Sequence, residues 1–241
     1  RGSTFAIPLN AWHQHFNGSG VEPARYVAVT NAPVIINSFG DLDFVFNTRY
    51  DFTDRFNGEP DYFANRGEHK GLLLDTNFVP DAVNLPLIPI KERGAGGAQI
   101  RFSMAKGHMN SHISQFAVGT YKKAHAHGPG AHVIILNGEG FSLMWPEGEE
   151  PQRFEWQEGS MIVPPNAWIH QHFNTGTTPA RYLAFKAEGV AIRNAQGVPK
   201  SWISRRLGGD QIDYADESPR VRRWFEEALT KRGLSSRMEE A

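Results

Sequence analysis

Between residues 85 and 190 the chain breaks into short apolar runs: LPLIPI, AQIRFSM, HISQFAV, HVIILNG, FSLMW, RFEWQ, SMIVPP, WIHQHFN and RYLAFKA. Turn sequences such as NGEG and PEGEE separate them. Short alternating runs bounded by glycine, proline and asparagine are strand and turn signals, and their even recurrence is the rhythm of a closed antiparallel barrel. The predicted fold class is all-β. One segment departs from this pattern. Val221, Trp224, Phe225, Ala228 and Leu229 fall at i, i+3, i+4, i+7 and i+8, behind a Ser218 N-cap and a Pro219 suited to the first helical position. Gly233 stops the run, which predicts a C-terminal α-helix at about 219–232 whose apolar stripe packs on a barrel or on a partner subunit. EPDYFANRG (59–67) suits one or two further helical turns.

The pattern also repeats. Residues 2–34 and 159–190 align with one slipped residue, and HQHFN and PARY occur in both. Two identical stretches in one order at one spacing mark a duplication. The second copy is preceded by about forty residues of related pattern from Gly119, whereas the first is preceded by Arg1 alone. The expected organisation is therefore an incomplete first barrel (1–37, its closing strands, read as two strands and a hairpin over 2–30), a connector (38–84), a complete barrel (85–192) and a tail (193–241). The natural protein is expected to be longer than this chain.

Composition narrows the chemistry. With 25 Lys+Arg against 26 Asp+Glu in 241 residues, charge is balanced and no basic stripe suggests a nucleic-acid partner. No apolar run approaches a membrane span, and no targeting signal is visible, so a cytoplasmic location is expected. There is no cysteine, which excludes disulfides, thiolate metal sites and cysteine nucleophiles. Any metal must be held by nitrogen and oxygen, and ten histidines are available.

His125 and His127 stand two apart after the alternating stretch GTYKKAHAH, so in a strand both point to one face. His170, His172 and Asn174 share a face in a later strand. If the two strands are neighbours across a barrel lumen, three or four imidazoles converge there, enough to hold one metal ion at about 2 Å per bond. If the strand is regular, Tyr121 and Lys123 share the inward parity of His125. Lys123 would then meet a substrate carboxylate, unless a bulge turns it outward. His172 lies one layer along and would orient a ligand or act as general base, or hydrogen-bond within the lumen. Phe116, Trp145 and Trp168 would line an apolar substrate pocket, or pack as core. Arg25 and Arg181 recur in the two PARY copies, which argues for a structural ion pair.

The spacing resembles the two motifs of the cupin superfamily. Gly119, five residues, His125-Ala126-His127 and later Gly138 match the first motif, and Gly159, Pro165, His170 and Asn174 match the second, with Ala167 where the inner glycine usually stands. The resemblance implies a cupin double-stranded β-helix, or jelly-roll barrel, and the repeat makes it a bicupin. The glutamate ligand of the first motif is missing. Ala131 takes its position, or His132 does if the GPG turn inserts a residue, which makes His132 a candidate fourth ligand.

Neutral imidazoles leave a divalent ion its full charge, so such a site favours anionic, chelating substrates. Alanine at the glutamate position, together with Trp12, His13, His15 and Asn17 in the first copy, resembles gentisate-type bicupin dioxygenases. That resemblance implies Fe(II) on three histidines, an aromatic hydroxy-acid and O2, with Cu, Ni, Zn or Mn as alternative metals. The competing expectations are a cupin lyase, decarboxylase or isomerase on another divalent metal, and a non-catalytic ligand-binding cupin. A homo-oligomer, or association with the rest of the first barrel, is expected.

Overall fold

The computed structural model describes residues 2–64, 67–94, 96–105, 109–128, 130–187 and 198–238. Its N-terminal part holds β1 (Thr4–Phe5), α1 (Ala32–Phe39), α2 (Leu42–Asn47), β2 (Glu68–Lys70), β3 (Leu73–Asp75) and β4 (Phe78–Val79). The barrel segment follows with β5 (Ile88–Pro89), β6 (Ala98–Met104), β7 (Met109–Phe116), β8 (His132–Asn137) and β9 (Gly140–Trp145). It continues through β10 (Gln152–Trp156), β11 (Met161–Ile162), β12 (Ile169–Asn174) and β13 (Ala180–Ala187), and the chain ends in α3 (Pro219–Thr230). Each apolar run read as a strand between 85 and 187 carries one.

Two sheets curl around a shared lumen. The larger runs β11-β8-β13-β7-β6-β3-β2, with β5 beside β6, and the smaller runs β10-β9-β12. Pairing is antiparallel except that β3 joins β6 in parallel, which draws connector residues 73–75 into the barrel sheet. Alternation sorts the side chains into three clusters. Ile100, Phe102, Met104, Ile113 and Leu183 face away from the lumen and are covered by Leu74, Val79 and Ala82. Phe116, Val133, Ile135, Trp156, Tyr182 and Ala184 pack between the two sheets at one end of the lumen. Tyr121, Phe141, Leu143 and Phe173 face outward from the smaller sheet and are covered by Val221, Phe225, Ala228 and Leu229 of α3.

The helix forms as its sequence predicts. The Ser218 side chain accepts from the Arg220 amide, Pro219 opens the first turn, and Gly233 at φ 69° lets the chain turn back after the last one. The stripe packs on this chain's own barrel. Two short helices, α1 and α2, lie where no helix was expected, and residues 59–64 form turns.

The first repeat copy does not form the expected hairpin. Among the described residues between 2 and 30 only Thr4–Phe5 is a strand, paired with β4. Trp12, Phe16, Tyr26 and Val27 are exposed, as are His13 and His15. HQHFN is a fully buried strand at 170–174 because β9 lies on one side of it and residues 120–125 on the other. Among the described residues no strand lies beside the same five residues at 13–17, and a strand without partners leaves its backbone groups to water. The repeated arginine also differs from expectation: Arg181 donates to the carbonyls of Ala82, Val83 and Leu85 and to Gln115 Oε1, so among the described residues its hydrogen bonds clamp loop backbone and an amide.

Phe225 is fully buried against Tyr121 and Phe173. Phe225→Ala is expected to lower the free energy of unfolding by about 3–5 kcal/mol, read from urea-denaturation midpoints.

Candidate metal centre

The site is built where residues 120–126 lie along β12. Asn174 N donates to Thr120 O (3.0 Å) and Lys122 N to His172 O (3.1 Å), while His125 and His170 exchange a pair of bonds at 3.1 and 2.9 Å. The bridges Tyr121↔Phe173 and His125↔His170 therefore enclose three residues on one side and two on the other. That single extra residue is a β-bulge, and it switches parity. Tyr121 faces outward, stacked on Phe173 with its hydroxyl bonded to Glu217; Lys122 and His125 face inward. On the far side, Ile212 N donates to Ala124 O (2.8 Å) and Ala126 N to Asp210 O (3.2 Å), so the tail clamps the bulged segment against β12.

His125, His127 and His170 present one ligand atom each, all within 4.8 Å of one another. Their ring centroids lie 4.2 to 5.3 Å apart. His170 Nδ1 contacts Trp168 O at 3.0 Å, which fixes its ring and leaves Nε2 for the lumen. His172 sits one layer along, 5.7 Å from His170 between ring centroids. Trp156 Nε1 donates to Ser142 Oγ (3.0 Å), and Ser142 in turn lies 2.7 Å from His172 Nδ1. The Ser142 hydroxyl thus links the Trp156 indole to the His172 ring and fixes its orientation.

Burial is the main influence on every charge here. It pushes the His125 imidazole well below its ordinary value, with the Arg93 charge second and smaller effects from His170, His127 and Lys186. It takes His170 down to about 3, and it depresses His172 and His112 strongly. Neutral imidazole is the ligating form. The other lumen charges are all basic. Arg93 Nη2 lies 2.7 and 2.8 Å from the two His125 ring nitrogens, and its Nη1 donates to Ser201 O and Gln211 Oε1. Lys186 Nζ is 3.0 Å from His127 Nε2. Burial lowers Arg93 to about 10 and Lys186 to about 8.

Three imidazole nitrogens on one small patch fit a metal ion. An ion held by His125 must displace the Arg93 contact from one ring nitrogen, and Nε2 of His127 faces Lys186. No aspartate or glutamate is among the buried polar side chains of the described residues, so the site offers no carboxylate ligand.

Several expected site residues lie elsewhere. His132 is exposed at the edge of β8 opposite Phe185, outside the cluster, while Ala131 packs in the inner apolar cluster. Tyr121 and Lys123 are not in the lumen, because the bulge reverses their parity. Tyr121 lies under α3, and Lys123 Nζ pairs with Asp213 at 2.7 Å. Trp145 is on the outward face of β9 with the α3 cluster, since its parity follows Phe141 and Leu143. Trp168 is half-buried on the turn before β12 and enters the site through its carbonyl. Phe116 lies at the apolar end of the lumen, 5.5 Å below the Lys122 ammonium.

Sequence reasoning missed Lys122, Arg93, Lys186 and Ser142. Lys186 was readable, since it shares the inward period-two parity of Tyr182 and Ala184 in one strand. Arg93, in a glycine-rich loop, and Lys122, behind the bulge, carry no periodic signal.

No protein-family model matches the sequence, and no curated protein does. Solved structures with similar shape include oxalate decarboxylase from Bacillus subtilis (15% identity, 66% of this chain and 43% of that chain, TM-score 0.40). CapF from Staphylococcus aureus is another (13% identity, 48% of this chain and 31% of that chain, TM-score 0.37). The cupin domain of CENP-C from Drosophila melanogaster is a third (13% identity, 42% of this chain and 69% of that chain, TM-score 0.36). The matched part thus spans less than half of the oxalate decarboxylase and CapF chains.

Three predictions follow from this geometry. His125→Ala and His170→Ala are each expected to abolish binding of a divalent metal in equilibrium dialysis with elemental analysis, and His132→Ala to leave it unchanged. Ala167 occupies the left-handed region at φ 63°, which costs an L-residue about 1–2 kcal/mol; Ala167→Gly should stabilise the fold by roughly 1 kcal/mol in urea titrations. The depressed histidines set the acid response of the metal-free chain. Unfolded imidazoles take protons near 6.5 while His170 resists to about 3, so the unfolded state binds more protons across that window. Stability is fully present above pH 6.5 and lost as pH falls below it, and denaturation midpoints between pH 7 and 5 check this.

Proposed function

We propose that this chain is a metal-dependent cupin oxidoreductase of dioxygenase type, using Fe(II) on His125, His127 and His170 to act on a small anionic substrate, with an aromatic hydroxy-acid as the leading class. The observation that carries the reading is the carboxylate-free histidine cluster inside a lumen whose charged groups are all basic. Iron held by neutral nitrogen ligands keeps its full charge and supplies O2 chemistry next to a chelated acid. The chain's own residues bind and orient. Arg93 and Lys186 stand beside the ligands to attract the acid group and hold it against the site. His172, oriented through Ser142, presents its Nε2 to a substrate oxygen. Phe116, Trp156 and Tyr182 wall the lumen beyond it and exclude water from an enclosed ring.

We read the duplicated segment as part of a second barrel. Trp12, Phe16, Tyr26 and Val27 are exposed in this chain although their counterparts in the second copy lie in barrel strands, which supports completion of that barrel by strands outside it.

Oxygen-electrode measurements on Fe(II)-loaded protein against a panel of hydroxy-aromatic acids test the activity. Uptake with at least one acid, abolished by His170→Ala, is expected. No uptake with any acid on any of Fe, Mn, Cu, Ni or Zn contradicts the reading.

A further inference from the structure

The lumen holds a buried lysine that the metal site does not use. Lys122 is 1% exposed, its ammonium bonded to Ser114 Oγ and lying 5.5 Å from the centroids of both the Phe116 and Tyr182 rings. Fully buried lysines are rare unless paired with an acid. Among the described residues no carboxylate pairs with this one. No aspartate or glutamate among them is buried; burial pushes the Lys122 amine well below its ordinary value and the Arg93 charge adds to that, so an anion beside it is what would favour its charged form. The rings at its sides offer only partial compensation. Lys122 N donates to His172 O, one layer along β12 from the His125–His170 pair, so its backbone lies about 7 Å from the metal layer along the strand. Three basic groups thus stand in one lumen at two levels: Arg93 and Lys186 against the ligands, and Lys122 beyond them.

We propose that Lys122 is the specificity-determining residue for a second anionic group of the substrate, so that the site selects small organic dianions, one acid group at the histidine layer and the other at the Lys122 ammonium. The inference rests on the reading of this lumen as the substrate site. A second anionic group supplies the counter-charge that the fold withholds from Lys122, and the missing pairing becomes binding energy for the correct ligand. The backbone spacing of one layer suits two acid groups separated by a short carbon chain or one ring.

The test is calorimetric titration of the full chain, metal-loaded and chelator-treated, with malonate, succinate and glutarate against acetate, butyrate and valerate. At least one diacid is expected to bind at least tenfold tighter than the monoacids. Lys122→Met should remove that preference with monoacid binding unchanged, whereas Lys122→Arg and the outward-facing Lys123→Met should keep it. Equal binding of diacids and monoacids by the unmodified chain overturns the inference, as does a preference that survives in cooperatively folding Lys122→Met. If Lys122→Met does not fold, the unmodified chain and Lys122→Arg still decide: a preference lost in Lys122→Arg, or absent from the unmodified chain, overturns it. Metal uptake separates the two readings. Normal uptake without diacid preference sinks the inference alone, and a Lys122-dependent preference without metal uptake sinks the metal reading alone.

Discussion

One extra residue between Tyr121 and His125 governs both faces of the smaller sheet. In regular pairing Tyr121 and His125 would point the same way, and either the histidine or the tyrosine would be misplaced. The bulge opposite His170–Phe173 sends Tyr121 outward beneath Phe225 and His125 inward beside His170. The C-terminal helix therefore has an aromatic partner on one side of the sheet while the histidine cluster assembles on the other. The tail strengthens the arrangement from both ends, through α3 on the outer face and through the backbone bonds of Asp210 and Ile212 along the bulged segment.

The same bulge brings Lys122 into the lumen and leaves Lys123 with Asp213. The interior then contains neutral imidazoles and basic side chains, with no acid among the buried described residues. Such an interior is electrostatically incomplete, because each buried cation is desolvated without the carboxylate that ordinarily offsets the cost. A metal ion alone adds to that excess and an anion relieves it, so the charge pattern and the histidine cluster point to the same kind of ligand. His172, Ser142 and Trp156 form a hydrogen-bonded line at the edge of this space, and it holds in place a lumen histidine outside the metal cluster.

The barrel strands were legible because each apolar run was short, alternating and bounded by turn residues, and the tail helix because cap, stripe and stop agreed with one another. His125, His127 and His170 were legible as a pair of strand histidines plus one more. The parity of residues 121–123 was not, since a bulge is a property of two strands and leaves no mark in either alone. His132 was placed by counting along a motif, and such a count does not say which face a strand residue takes. The clearest limit is HQHFN. Written twice in one sequence, it is buried strand at 170–174 and exposed chain at 13–17, so partner strands decide its structure where the local pattern cannot.

The central claim is that the three imidazoles, without a carboxylate, hold one metal ion. The most direct measurement is an anomalous difference map from a crystal of metal-loaded protein. The account predicts a single strong peak per chain, about 2.0–2.2 Å from one nitrogen each of His125, His127 and His170, with Arg93 withdrawn from the bonded nitrogen of His125. A peak elsewhere, or one bonded to an aspartate or glutamate, would contradict it.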